Sequence, residues 1–254
     1  MSNSPILELK DVTVTYPNLN RAVDGVSFSA ERNTVTAIIG EEKAGRTSLL
    51  RAINRLHELY PNIEVSGSIL FNGTNIRKMN TIQVRRKIGM IFDTPNPFPN
   101  LSIGENILFP FKINKIYLSK TEKEAKIEYY LTEVDLWNEV KNQLNEKPHI
   151  LSVDQQQRLC IARSIAIEPE VVLMDEPTLV LNSAGTEKVE NMIYRMKDKS
   201  TFILVTHNLS QAARLSNYTL FMENGKIVEY GITSELFWNP KDKRTELFIN
   251  AHNQ

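Results

Sequence analysis

Nine consecutive residues offer the first piece of chemistry. Gly40-Glu41-Glu42-Lys43-Ala44-Gly45-Arg46-Thr47-Ser48 carries two glycines, two cations and two hydroxyls in fixed order. The spacing is that of the phosphate-binding loop G-x-x-x-x-G-K-[ST], with arginine in the lysine place. Such a loop aims backbone N–H groups and the start of a helix at a phosphate. Thr47 would hold Mg²⁺. A plain glycine-containing turn between strand and helix is the alternative. The run Val171-Val172-Leu173-Met174-Asp175-Glu176-Pro177-Thr178 ends an apolar strand in two adjacent acids. Buried acids are costly unless a cation or hydrogen bonds meet them. Asp175 would hold Mg²⁺ through water, and Glu176 would polarise an attacking water. A helix-capping pair is the alternative. His207 also follows an apolar run. It reads either as a core histidine satisfied by backbone or as a contact to a γ-phosphate.

These residues need a scaffold that gathers them. Four apolar runs, Val35 to Ile39, Ile88 to Phe92, Val171 to Met174 and Phe202 to Thr206, read as buried parallel strands. Each is followed by polar chemistry: the glycine loop, Asp93, the acid pair and His207. Ligands of open α/β sheets sit at the carboxyl ends of the strands, so the pattern predicts a nucleotide- or phosphate-type site. Helices are predicted over Thr47 to Tyr60, Ser119 to Val140, Asp154 to Ile167, Ser183 to Lys197 and Asn208 to Leu215. Ser119 with Glu122 fits a capping box. Asp154, with Gln157 three positions on, fits a helix start. Ile6, Leu7, Leu9, Val12 and Val14 alternate. With Val26 to Ser29 and Ser68 to Phe71 they predict a small antiparallel sheet. Thr94-Pro95-Asn96-Pro97-Phe98-Pro99 cannot be regular structure and reads as a hinge into a mostly helical insertion of residues 94–165.

Composition narrows the class. Thirty basic and thirty acidic side chains cancel, which argues against a nucleic-acid or anionic-lipid surface. The single cysteine, Cys160, excludes an internal disulfide and fits a reducing compartment. No apolar run approaches the roughly 20 residues of a membrane span, and no secretion signal opens the chain. A cytoplasmic protein that meets a membrane through partners is expected. The N-x-S/T matches at Asn72, Asn100, Asn208 and Asn217 then count as chance. Only 10 residues are glycine, against a usual share near 7%.

Leu151-Ser152-Val153-Asp154-Gln155-Gln156-Gln157-Arg158 makes a resemblance specific. It resembles the LSGGQ signature of the ABC ATPases. The order of motifs along nearly the whole chain is similar to that family's. Tyr16 falls where the family stacks an aromatic on adenine. The likeness is strongest to the ATPases of phosphate-specific importers. It is carried by Thr94–Pro99, Gln155–Arg163, Val205–Asn208 with Gln211–Arg214, and Asn239–Glu246. The resemblance implies an α/β fold: a RecA-like parallel sheet with an antiparallel β-subdomain (residues 1–93 and 166–254) and a helical subdomain (94–165).

The sequence departs from that family at four places. Arg46 replaces the loop lysine; its charge survives but its planar fork is wider, and Lys43 could lend an amine from the side. Asp93 replaces a glutamine; its carboxylate can approach Mg²⁺ but cannot donate while ionised. Val153 and Asp154 replace the signature glycines. There Asp154 either caps its helix or occupies the anion site at the helix start. Asn182 replaces an aspartate. Ser152 is retained; in the family dimer this segment of one chain faces the γ-phosphate held by the other. The resemblance implies Mg²⁺-dependent ATP hydrolysis driving phosphate import. The expected partners are a second ATPase subunit, transmembrane permeases and, indirectly, a phosphate-binding protein. A nucleotide-binding regulatory subunit with little turnover is the alternative.

Overall fold

The computed structural model describes residues 4–18 and 21–252. The N-terminal segment forms β1 (Leu7–Thr15) and β2 (Arg21–Ala30), followed by β3 (Val35–Gly40) and α1 (Arg46–Ile53). Then come β4 (Glu64–Phe71), β5 (Thr74–Asn75), α2 (Thr81–Lys87) and β6 (Ile88–Ile91). A helical stretch follows, with α3 (Ile103–Ile113), α4 (Lys120–Glu133), α5 (Trp137–Val140) and α6 (Val153–Ile165). The chain returns to the sheet through β7 (Val171–Asp175), α7 (Ser183–Met196), β8 (Thr201–Val205) and α8 (Leu209–Leu215). It closes with β9 (Tyr218–Glu223), β10 (Lys226–Ile232), α9 (Thr233–Trp238) and α10 (Lys243–His252).

Among the described residues the strands form two sheets, ordered β2-β1-β4-β5 and β10-β9-β3-β8-β7-β6. The first is antiparallel, as the alternating N-terminal pattern predicts. In the second, β9, β3, β8, β7 and β6 run parallel and β10 is an antiparallel edge. The expected parallel strands are all present. The hairpin β9–β10 is an addition that sequence reasoning missed, although Asn224-Gly225, both at positive φ, is a strong hairpin-turn signal.

The parallel strands are apolar throughout because both faces are covered. Leu173 and Ile203 face the side holding α1 and the antiparallel sheet. Their neighbours Val172, Met174, Phe202 and Leu204 face the side built from α3, α4, α6 and α7. At the far end of the sheet, Ala37, Ile39 and Phe221 pack under α8, α9 and α10.

Three helix expectations are corrected. The run Thr47 to Tyr60 is α1 plus a separate 3-10 turn, Leu56–Leu59. Arg55 breaks it with φ 59° while its guanidinium binds the carbonyls of Ile76 and Met79 at 3.0 and 2.6 Å. The run Ser119 to Val140 is split at Asp135, φ 50°, although the Ser119–Glu122 capping box is present. The third begins one residue earlier, at Val153. Its cap is Ser152 in a capping box with Gln155, not Asp154 with Gln157. The prolyl segment is irregular, as expected, and is pinned to α6. Arg163 binds the Asn96 carbonyl at 3.0 Å and lies 4.3 Å from the centre of the Phe98 ring.

Candidate active site

The glycine loop owes its shape to crowding. Gly40 ends β3 with φ 151°, and a Cβ there would fall 2.2 Å from the carbonyl oxygen of Met222 in β9. Gly45 has φ 96°, and a Cβ there would fall 1.9 Å from the carbonyl oxygen of Ala22 in β2. Between them the Ala44 carbonyl accepts the Gly225 N–H at 3.1 Å. The loop is therefore wedged between the antiparallel sheet and the β9–β10 turn. α1 starts directly behind it at Arg46, with no side-chain cap and no acid in its first turn. The first N–H groups of such a helix have no partner within it.

Three neighbouring strands deliver the remaining groups. Thr47 Oγ1 donates to Asp175 Oδ1 at 3.0 Å. Burial raises the Asp175 carboxyl above the usual carboxylate range; the Thr47 bond opposes this and the nearby Asp93 charge adds to it. Glu176 stands in a left-handed turn, φ 46°. Its Oε1 lies 3.4 Å from the Arg46 guanidinium. Its Oε2 accepts from the His207 backbone N–H at 3.2 Å and lies 2.8 Å from His207 Nδ1. Arg46 also donates to the Thr206 carbonyl at 3.3 Å. Loop, acid pair and histidine thus meet at one sheet edge. The exposed Asp93 follows β6 at the same edge, and the Phe92 carbonyl beside it accepts from Gln157 at 2.7 Å.

Beside the loop lies a cavity of about 690 Å³, lined among others by Tyr16, Lys43, Thr47, Ser48, Asn224 and Gly225. The Tyr16 hydroxyl meets Ser48 Oγ at 3.0 Å, fixing the ring at the cavity wall. Glu41 and Glu42 are exposed, and His252 Nε2 of α10 approaches Glu41 at 3.6 Å. Sequence reasoning missed Arg21, Ala22 and the Asn224-Gly225 turn as cavity wall. Only the turn dipeptide carried a signal for it.

The side chains of Ser152 and Asp154 make their hydrogen bonds within α6 and its cap, not with this cluster. Asp154 does neither of the two things its position suggested. Ser152 is the cap, and the Asp154 carboxylate turns inward onto buried Arg158, at 2.5 Å from Nη2. Arg158 also binds Glu139 at 2.9 Å, and Lys188 reaches the same Glu139 at 2.8 Å.

A glycine loop wedged at a helix start, an acid pair and a histidine on adjacent parallel strands define a nucleotide-binding site of the ATP-binding-cassette kind. The family model for ABC transporters matches residues 23–179, and the chain belongs to that family. Two solved structures share the fold with TM-scores of 0.78: MJ0796, an ATP-binding cassette in a dimeric post-hydrolysis state bound to ADP and Pi, and cbiO1 of Clostridium perfringens, part of the transporter complex cbiONQ. The first is 24% identical and covers 89% of this chain and 98% of its own; the second is 23% identical and covers 97% and 96%.

Among curated proteins the chain is similar to the phosphate import ATP-binding protein PstB of Pyrobaculum aerophilum, 44% identical over 96% of this chain and 98% of that protein. The protein of the same name from Cytophaga hutchinsonii is also 44% identical, over 96% and 98%. That of Tropheryma whipplei is 41% identical over 97% and 98%.

Proposed function

We propose that this chain is the ATP-binding and ATP-hydrolysing subunit of an ABC importer for inorganic phosphate. The observation that carries the chemistry is the meeting of the 40–48 loop, Asp175, Glu176 and His207 at one sheet edge. The phosphate specificity is supported by near-full-length similarity to phosphate import ATP-binding proteins. No observation favours the non-hydrolysing alternative.

In this reading Tyr16 stacks on the adenine, and the loop N–H groups from Glu41 to Ser48 with the start of α1 hold the phosphates. Glu176 is the general base, held between Arg46 and His207, which faces the γ-phosphate. Ser152 and Asp154 belong to the segment that meets the nucleotide of a second ATPase subunit. The residues present fit Mg²⁺. Thr47 and Asp175 offer two hard oxygens already 3.0 Å apart, and Mg²⁺ is usually bound by one or two protein oxygens plus phosphates and water. Asp93 is a third oxygen within electrostatic reach of Asp175. When bound, the ion supplies charge neutralisation at the phosphates.

No helix among the described residues is long and apolar enough to cross a membrane. In this reading transmembrane permeases supply the path, with this chain peripheral to them on the cytoplasmic face. We assign permease docking to the helical unit, residues 94–165. Its surface carries a groove of about 490 Å³ walled by Leu101, Phe109 and Tyr117 among others. The nucleotide belongs to residues 1–93 and 166–254, and a phosphate-binding protein acts upstream of the permeases. The test is Glu176→Gln. It is expected to keep Mg-ATP affinity within about threefold and to lower turnover at least ~100-fold, the scale of a lost general base. Equal turnover in both proteins, or no ATP binding by titration calorimetry, would overturn the assignment.

A further inference from the structure

In the phosphate-loop pattern a single lysine meets the phosphates. Here that place is taken by Arg46, and its guanidinium has other partners. It is largely buried, lies 3.4 Å from Glu176 Oε1 and donates to the Thr206 carbonyl at 3.3 Å. Both contacts are made by Nη1, so that end of the guanidinium is committed to protein oxygens. Arg46 also lines the cavity, but its Nη1 is held on the acid.

A second cation stands three residues earlier. Lys43 is exposed at the loop and lines the 690 Å³ cavity together with Thr47 and Ser48. Among the described residues its ammonium has no hydrogen-bond or ion-pair partner. Its backbone is left-handed, φ 64°, a conformation that favours glycine and costs a residue with a side chain. A strained, unpaired lysine on the wall of a phosphate-type cavity lacks a structural reason to be lysine. Of the other two cations lining the cavity, Arg46 lies against Glu176 and Arg21 is paired with Asp24 at 3.2 Å. Lys43 follows two exposed acids, Glu41 and Glu42.

We propose that the work of the loop lysine is divided in this protein. Lys43 supplies the cation that binds the phosphate chain of a nucleoside triphosphate, while Arg46 acts as a positioning residue for Glu176. The inference rests on the ATP-binding reading above but is separable from it.

The experiment is titration calorimetry with Mg-ATP on the full chain and three variants, with Tm measured alongside. Lys43→Gly relieves the left-handed residue, so its Tm is expected to be no lower than that of the parent. Its Mg-ATP affinity is expected to fall about tenfold, the worth of one hydrogen bond to a charged group. Lys43→Arg keeps the cation and is expected to stay within about threefold. Arg46→Gln is expected to change affinity less than Lys43→Gly does, while lowering turnover. Parental affinity in Lys43→Gly, or a larger affinity loss in Arg46→Gln, would overturn the division while leaving ATP binding intact. A parent chain that binds no Mg-ATP would overturn the ATP-binding reading and this one with it.

Discussion

The Asp154 carboxylate rests against the α-carbon of Gly185. A Cβ added at residue 185 would fall 1.9 Å from Asp154 Oδ1, an oxygen that is buried and has no hydrogen-bond partner. Gly185 lies in the first turn of α7, where its N–H binds the capping Asn182 at 2.8 Å. The acid at the signature position and the glycine across from it therefore depend on each other.

This dependence sets the sign of a substitution. In a helix, alanine is normally better than glycine by about 1 kcal/mol. Gly185→Ala is expected to cost about 1–3 kcal/mol here, because the new carbon overpacks Asp154. In an Asp154→Gly background the same change is expected to be neutral or to stabilise by up to about 1 kcal/mol. Urea unfolding of the four proteins measures the coupling; additive effects would show that the contact does not exist.

The same cluster predicts acid sensitivity. Burial would raise the Glu139 carboxyl, but its bonds to Arg158, Lys188 and Gln155 outweigh this and hold it at about 2 against an ordinary 4.5. The folded pKa is depressed, so the unfolded chain binds the proton more readily between these values. The stabilisation is thus complete above about pH 4.5 and is lost as pH falls toward about 2. It should amount to roughly 2–3 kcal/mol, because the group is partly screened by water. Glu139→Gln should lower stability at pH 7 and flatten the acid limb of the stability curve between those pH values. An unchanged limb would remove the cluster from the account.

Crowding at the loop is open to a paired test. Gly45 and Gly73 both have positive φ, 96° and 74°, but a Cβ at Gly73 would meet nothing within 4 Å. Gly73→Ala is expected to cost only the backbone strain, about 1–2 kcal/mol. Gly45→Ala carries the clash with Ala22 as well and is expected to cost more than about 3 kcal/mol and to abolish ATP binding. Equal costs, read from chemical denaturation, would mean that the loop is not wedged.

The helical unit offers the cleanest separation of stability from assembly. Tyr117 is 92% exposed at the rim of its groove. Tyr117→Asp is expected to change the stability of the isolated chain by less than about 0.5 kcal/mol. With the permeases present it is expected to weaken their association or their stimulation of ATPase turnover. Full stimulation by permeases would move the docking site elsewhere.

Much of this was legible in the sequence, for identifiable reasons. β3, β7 and β8 are buried on both faces, so their apolar runs stand out, and the groups after them mark the ligand edge. β9 escaped notice because Tyr218 and Glu223 at its ends are only half-buried and hide a short apolar centre. The helix breaks at Arg55 and Asp135 were illegible because both are left-handed without being glycine. Arg46 was read by its charge, but its partner Glu176 is 130 residues away, beyond the reach of local pattern. Asp154 was misread although its partner was one helical turn on. The i,i+4 spacing to Arg158 was the available signal.

The order of the large sheet bears on how the protein is made. Strand β3, which carries the loop, pairs on one side with residues 202–205 and on the other with residues 218–222. During synthesis the loop therefore leaves the ribosome long before either neighbour exists. Met222, the last paired residue of the second neighbour, presses its carbonyl on Gly40, and Gly225, which ties down Ala44, emerges after it. Pairings this distant in sequence form slowly. An unfinished chain has the loop's residues without its shape, so nucleotide in the cell is a ligand for the completed fold alone. By mass action a ligand of the completed fold stabilises only that state.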